Sequence, residues 1–265
     1  MDVLTEDATA KALYFRGVRQ GSVEDVKVLV RLGADVNWRE EGTTLTGLLI
    51  ALAGKKKTLL EFLLSKGADV NLPDDREGWR WTPLMWVCLG GLPDMVERLC
   101  KVPGINLNAR HHLLGHTALM YAVVQDNVQC IEKLRAISGV DWNAVTGLGY
   151  SAAMLGVQRG HVGVVEALLL VSSLDLNMTN QGGFSVAHIV VESDQVDYRR
   201  YLRILQLLCQ DGRVDWNAVD FDGYSPVLRA LELNKVEMFR TLVKTPGVNT
   251  NITDGEGRSL VQLVM

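Results

Sequence analysis

The sequence predicts an all-α chain of seven stacked helix pairs, and three observations predict it. A phrase is written twice: "VDWNAVTGLGYS" at 140–151 returns as "VDWNAVDFDGYS" at 214–225, alike at nine of twelve positions. A catalytic centre is normally assembled once from scattered residues, whereas a stacked scaffold rebuilds one geometry with every added unit. An Asp/Asn-x-Asn phrase also closes at Asn37, Asn71, Asn108, Asn143, Asn177, Asn217 and Asn251, at intervals of 34, 37, 35, 34, 40 and 34. Finally, each of these is followed by a hydroxyl residue: Thr46, Thr82, Thr117, Ser151, Ser185, Ser225 and Ser259.

Each element of the unit follows in turn. A Thr or Ser at a helix start accepts an orphan backbone N–H, and Pro83 and Pro226 occupy first-turn positions where a missing N–H costs nothing. This begins a first helix. A turn such as Arg159–Gly160–His161 follows, then a second helix with apolar residues at offsets 0, 1, 4 and 5, as in Leu59/Leu60/Leu63/Leu64 and Val164/Val165/Leu168/Leu169. That spacing makes one wide stripe. Gly67 in "LLSKGADVN" is placed to end its helix in the left-handed conformation. Trp142 and Trp216, inside the repeated phrase, are expected to pack between units, while the tips Thr146–Leu148 and Asp220–Asp222 are expected to vary freely.

The phrases "GADVN" (33–37 and 67–71), "WTPLMWVCLGG" (81–91), "GHTALMYA" (115–122), "GYSAAMLGVQRGHVGVVEALL" (149–169) and "FSVAHIV" (184–190) resemble the ankyrin repeat over nearly the whole chain. The resemblance implies an all-α ankyrin-repeat solenoid of seven helix pairs, with projecting β-hairpin loops and a concave face of hairpins and first helices. It forms one domain over 1–265, with units at about 3–37, 38–71, 72–108, 109–143, 144–177, 178–217 and 218–251. A truncated eighth unit, 252–265, is a first helix without its partner. Departures are visible. The Thr-Pro-Leu-His core is nowhere complete, residues 192–203 insert about six residues between the helices of the sixth unit, and residues 72–81 lengthen the third hairpin.

Bulk properties narrow the function. At 265 residues and 48% hydrophobic, the chain has ample core, and a net charge of −4 argues against nucleic acid as the partner. The four cysteines form no C-x-x-C pair and read as reduced core thiols. The polar, acidic start lacks a secretory signal, and no apolar run reaches membrane-span length, so a cytoplasmic or nuclear monomer without membrane insertion is expected.

Enzyme templates fail. "AGKKKTLL" (53–60) lacks phosphate-loop glycine spacing, and "TGLG" (146–149) is a turn. His111, His112 and His116 read as exposed hairpin histidines rather than a zinc set. His161 and His188 stand at repeat positions suited to structural hydrogen bonds, with no Ser or Cys expected beside them. Neither cofactor nor metal is called for.

What varies between units is more informative. The residue before each capping hydroxyl is Leu45, Trp81, His116, Tyr150, Phe184, Tyr224 or Arg258. Stacked at roughly 10 Å per helix, neighbouring rings of this column stand beyond the ~4.5–7 Å of aromatic contact and are expected to stay open to a partner. The partner-binding candidates are therefore His116, Tyr150, Phe184 and Tyr224, with Trp79, Arg80 and Trp81 of the lengthened third hairpin and Trp86 of the helix after it. Gln125, Arg159 and Glu232 join them as polar groups at the groove end of first helices.

Such a surface fits a non-enzymatic module of the adaptor, scaffold or inhibitor type, which holds an intracellular protein or peptide segment. The competing reading is a sensor in which Trp79 or Trp81 stacks on a nucleobase while Arg76, Arg80, Arg110 and Lys55–Lys57 meet phosphates.

Overall fold

A computed structural model describes residues 8–75, 78, 80–193, 197–253 and 257–258. The expected insertion is thus described only in part, and the truncated eighth helix lies outside the described residues. Two compact units emerge, 1–118 and 119–265. The first contains α1 (Ala8–Gln20), α2 (Val23–Arg31), α3 (Gly47–Ala53), α4 (Lys57–Ser65), α5 (Pro83–Leu89) and α6 (Pro93–Cys100). At the boundary begins α7 (Ala118–Val124), and the second unit continues with α8 (Val128–Arg135), α9 (Ala152–Gln158), α10 (Val162–Leu169), α11 (Val186–Glu192), α12 (Tyr198–Asp211), α13 (Pro226–Glu232) and α14 (Val236–Val243). Seven helix pairs are therefore present among the described residues.

Within each unit, successive pairs stack like on like. In the first, α1 packs on α3 and α3 on α5; in the second, α9 packs on α11 and α11 on α13, while α8, α10, α12 and α14 form the second row. Offsets 0, 1 and 4 of the second helices face the core: Leu59, Leu60 and Leu63, or Val164, Val165 and Leu168, are all buried. The fifth offset lies at the edge of that stripe, so Leu64 and Leu169 are only half-buried. Trp142 and Trp216 are buried, as expected.

The hairpins are slighter than expected. Among the described residues there is no strand; single antiparallel bridges form at Arg39–Thr46, Asp74–Trp81 and Val145–Ser151. So few residues separate the Asn phrase from the next helix that the turn consumes the ladder. The insertion also differs from a plain loop. Much of it extends α12 to 14 residues, against 8 for α10, and Gly212 closes that helix at φ +77°.

Capping holds where the hydroxyls of Thr46, Thr82 and Ser151 accept the N–H three residues on, at 3.3 Å in each case. Two positions depart from this. Ser225 starts α13 without a hydroxyl partner, and the Ser185 hydroxyl lies 3.0 Å from His188 Nδ1 instead. A Ser therefore does stand beside a His, contrary to expectation, because this His lies one helical turn along and folds back over its own cap. Both are buried, and His188 Nε2 is committed to the Tyr224 carbonyl at 3.1 Å. The pair is a structural tie with no access for a substrate.

Successive repeats are joined by the Asn that marks the period. The Asn143 side-chain oxygen accepts from Asp175 N–H at 2.8 Å while its amide donates to the Ser173 carbonyl at 2.8 Å. Asn177 treats Asp215 and Arg213 alike, Asn217 treats Asn249 and Gly247 alike, and Asn71 in the first unit treats Asn106 and Gly104 alike. A second tie comes from the residue before the second helix. Lys56 donates to the carbonyls of Val18 and Arg19, Lys235 to those of Val191 and Ser193, and His161 Nε2 meets the Val124 carbonyl at 3.3 Å. Each satisfies orphan carbonyls where the preceding repeat's first helix ends.

Two outcomes are expected. Asn177→Ala removes a donor and an acceptor from a partly wet junction and lowers unfolding free energy by about 1–2 kcal/mol, measured by urea titration. Burial, with the nearby Arg229 charge, holds the His188 pKa below its ordinary value despite the Tyr224 carbonyl and Asp220. A depressed imidazole pKa contributes stability above the unfolded value of about 6.5 that is lost as pH falls through it. His188→Gln therefore flattens the drop in melting temperature between about pH 7.5 and pH 5.5.

Candidate binding cleft

In the second unit the hairpins are built on one local device. The Thr146 hydroxyl accepts from the N–H of Leu148 and Tyr150, the Asn180 side-chain oxygen Oδ1 from Gly182 and Phe184, and the Asp220 carboxylate from Asp222 and Tyr224. One acceptor thus closes the turn and fixes the backbone of the aromatic residue four positions on. Thr146 and Asp220 are buried, as is Asn180 between them, which corrects the expectation of free variation at the first residue of each tip, while Leu148, Phe221 and Asp222 are exposed. Neighbouring hairpins then abut. A Cβ on Gly149, at φ +82°, would come within 2.9 Å of the Asn180 backbone, and the Gln181 side chain donates to the Gly147 carbonyl at 2.8 Å.

Between these hairpins and the ends of α9 and α11 opens a cavity of about 360 Å³ lined by Tyr150, Gln158, Asn180, Phe184, Ile189, Glu192, Ser193 and Tyr201. Its walls are held from behind. Phe184 packs edge-on against the His188 ring at 6.0 Å, and the Tyr201 hydroxyl donates to the Gln158 carbonyl at 3.0 Å. Tyr150 and Phe184 remain half-buried, so their rings are held by the fold yet partly open to solvent.

Beside the cavity sits a charge cluster. The Arg229 side chain is only 12% exposed and meets Asp220, Asp222 and Glu232 by hydrogen bonds, and Glu192 at 3.0 Å through Nε. That Nε–H makes no aligned hydrogen bond, so Glu192 is held by charge more than by direction. Burial pulls the Arg229 pKa down, but the Asp220 bond and the surrounding carboxylates outweigh it and leave the guanidinium above its ordinary value. Its plane also lies 4.4 Å from the Tyr224 ring and 5.8 Å from Phe184.

The remaining sequence candidates scatter. Tyr150 and Phe184 line the cavity, but Tyr224 is only 8% exposed, capped by Arg229, with its hydroxyl accepting from Arg258 at 3.0 Å. Trp81, Phe184 and Tyr224 are thus met by side chains outside the column, while Tyr150 faces the cavity. Trp81 and Trp86, in the first unit, contact each other edge-on at 6.3 Å; Trp86 Nε1 donates to the Asp74 carboxylate, and Trp81 also neighbours His111. His111 is buried rather than exposed, because its Nδ1 accepts Leu114 N–H inside the turn. His116 is half-buried, with its carbonyl accepting His111 N–H.

Arg80 is exposed at φ +53° and 4.0 Å from Asp75, and Trp79 lies outside the described residues, as does Arg76. Gln125 and Arg159 are exposed at first-helix ends away from the cavity lining, while Glu232 joins the Arg229 cluster. The basic run of the nucleotide reading is engaged elsewhere: Lys56 caps α1, and Lys57 pairs with Asp94 at 2.7 Å. Sequence reasoning missed Ile189, Glu192, Tyr201, Asp220 and Arg229. It also missed Leu148 and Phe221, tip residues that are 63% and 78% exposed. The recurring pattern of a turn acceptor followed four residues later by a ring was the signal available.

Among the described residues, no helix is long and apolar enough to cross a membrane, and no group of three His, Cys, Asp or Glu is arranged to hold a metal. The family model for ankyrin repeats matches residues 48–146 and 152–254. A mitochondrial disaggregase of Bos taurus is 30% identical over 125 residues, covering 46% of this chain and 18% of that protein. The chain thus spans less than a fifth of that relative's length. The crystal structure of the ankyrin repeat domain of Bcl-3, described as a unique member of the IkappaB protein family, superposes with a TM-score of 0.73 at 23% identity, covering 84% of this chain and 95% of that one. The helix pairs, the Asn ties and the extent of these matches agree: the chain belongs to the ankyrin-repeat family.

Proposed function

We propose that this chain is a non-enzymatic protein-binding module, which holds an extended segment of an intracellular partner in the cleft lined by Tyr150, Phe184, Ile189 and Tyr201. The observation that carries this reading is the state of those rings. Phe184 packs on His188, the Tyr201 hydroxyl is held by the Gln158 carbonyl and the Tyr150 backbone is tied to Thr146, so that a guest meets little ordering cost, and a cavity of about 360 Å³ lies open in front. Ankyrin repeats are interaction modules, and the Ser185–His188 pair behind Phe184 is buried and committed to the fold, in keeping with a binding role. The role is that of an adaptor, scaffold or inhibitor acting as a cytoplasmic monomer, with its effector chemistry supplied by the partner. Trp81 and Trp86, in the first unit, are a second contact surface, one whose rings also serve packing.

Two measurements test this. Tyr150→Ala weakens a captured partner by at least ~2 kcal/mol, about thirtyfold, while the melting temperature stays near wild type; unchanged affinity removes the cleft from the binding surface. Trp81→Ala instead lowers unfolding free energy by about 2 kcal/mol, because it strips a half-buried ring from Trp86 and His111.

A further inference from the structure

The cleft has a chemical polarity, and its rim carries acid. Glu192 lines the cavity at the end of α11, and its side chain is 38% exposed. Next to it, Glu232 is 37% and Asp222 72% exposed, whereas the Arg229 they share is 12% exposed and Asp220 beneath it 1%. The cation is inside and the carboxylates outside. At the Glu192 end the other cations are committed: Lys235 is buried on the carbonyls of Val191 and Ser193, and Arg258 donates to the Tyr224 hydroxyl; beside Tyr201, Arg200 pairs with Asp197, and Arg159 is exposed next to Gln158 but outside the lining. A guest therefore meets acceptors. Glu192 keeps lone pairs for one, since its contact with Arg229 Nε is not an aligned hydrogen bond.

We infer that the cleft takes a basic segment, one that seats a bulky apolar side chain between Tyr150, Phe184 and Ile189 and sets a neighbouring Lys or Arg against Glu192, with Glu232 and Asp222 completing the acidic rim. This rests on the reading of the cleft as the partner site and adds the chemistry of the partner. The apolar pocket supplies affinity, because ring and aliphatic walls leave water when it fills. The rim supplies selection, since a carboxylate placed there by the guest would face three exposed like charges. Arg suits Glu192 better than Lys, because its planar fork engages a carboxylate at two points.

The experiment is a selection of random linear peptides displayed on phage against the full chain, followed by binding measurements on the enriched peptides. Expected is a consensus that pairs an aromatic or branched aliphatic residue with Arg or Lys close by. Glu192→Gln combined with Glu232→Gln should then weaken such peptides roughly tenfold, as should raising the salt, while peptides with the basic residue replaced by Ala lose no more than about twofold in the same variant. Asp222→Lys, at the most exposed carboxylate, gives the same direction without touching the cavity and guards against a folding defect in the double variant. Enriched peptides that compete for the cleft but are acidic or uncharged overturn the inference while leaving the binding site standing. Enriched peptides unaffected by Tyr150→Ala, or no enrichment at all, overturn the site and the inference together.

Discussion

A turn that joins two helix pairs leaves backbone groups that neither pair can satisfy alone, and the structure depends on how these are met. At the junctions served by Asn71, Asn143, Asn177 and Asn217 a carbonyl ends one second helix's loop and an N–H opens the next turn, as at Arg213 and Asp215. The side chain that answers both must accept and donate at once, and be short enough to stay put. Asn does this; Asp offers no donor, and Gln adds a rotatable bond whose freedom would have to be frozen. The amide therefore fixes the distance between successive hairpins. That distance sets the opening between Tyr150 and Phe184.

The second tie shows the same task performed by different residues. Lys56, His161 and Lys235 stand before second helices and each reaches the carbonyls that end the preceding repeat's first helix, and the Tyr201 hydroxyl does this at Gln158. An ammonium, an imidazole and a phenol share only a donor at the end of a side chain. Positive charge at a helix C-terminus adds a favourable dipole interaction, so the lysines do more than the phenol. Arg213 makes a comparable clamp at the end of α10, donating to the carbonyls of Leu169 and Val171 while Asp211 holds its other edge.

This difference explains what could be read from the sequence. The Asn phrase, the Trp142 and Trp216 positions and the second-helix stripe were legible because one residue type recurs at one spacing. The donor position was not, since its residue changes while its geometry does not. Tyr224 was misread for a related reason: its slot matches that of Tyr150, but the side chains that cover it, Arg229 and Arg258, come from a helix and a later turn whose reach no local spacing reveals. The tips were misjudged through the same neglect of polar accounting. Thr146 and Asp220 look like ordinary turn residues, yet each is the acceptor that closes its hairpin.

The register also says why a cleft opens in one interval and closes in the next. Ile189 and Arg229 stand at equivalent places, each four residues after the Ser that starts its helix. Ile189 is aliphatic and ends short of the rings, so the space before Tyr150 and Phe184 stays empty. In the following repeat the long guanidinium of Arg229 crosses that space, lies over Tyr224 and reaches Phe184, held there by Asp220 beneath and Glu192 beside it. A buried cation is tolerable only with carboxylates around it, and those carboxylates must stand toward solvent if they are to be wet on their far side. The same substitution that seals one interval thus lays an acidic border along the open one. A fold repeated for stability acquires, between these two hairpins, a place with both shape and charge, because equivalent helix positions carry Ile in one repeat and Arg in the next.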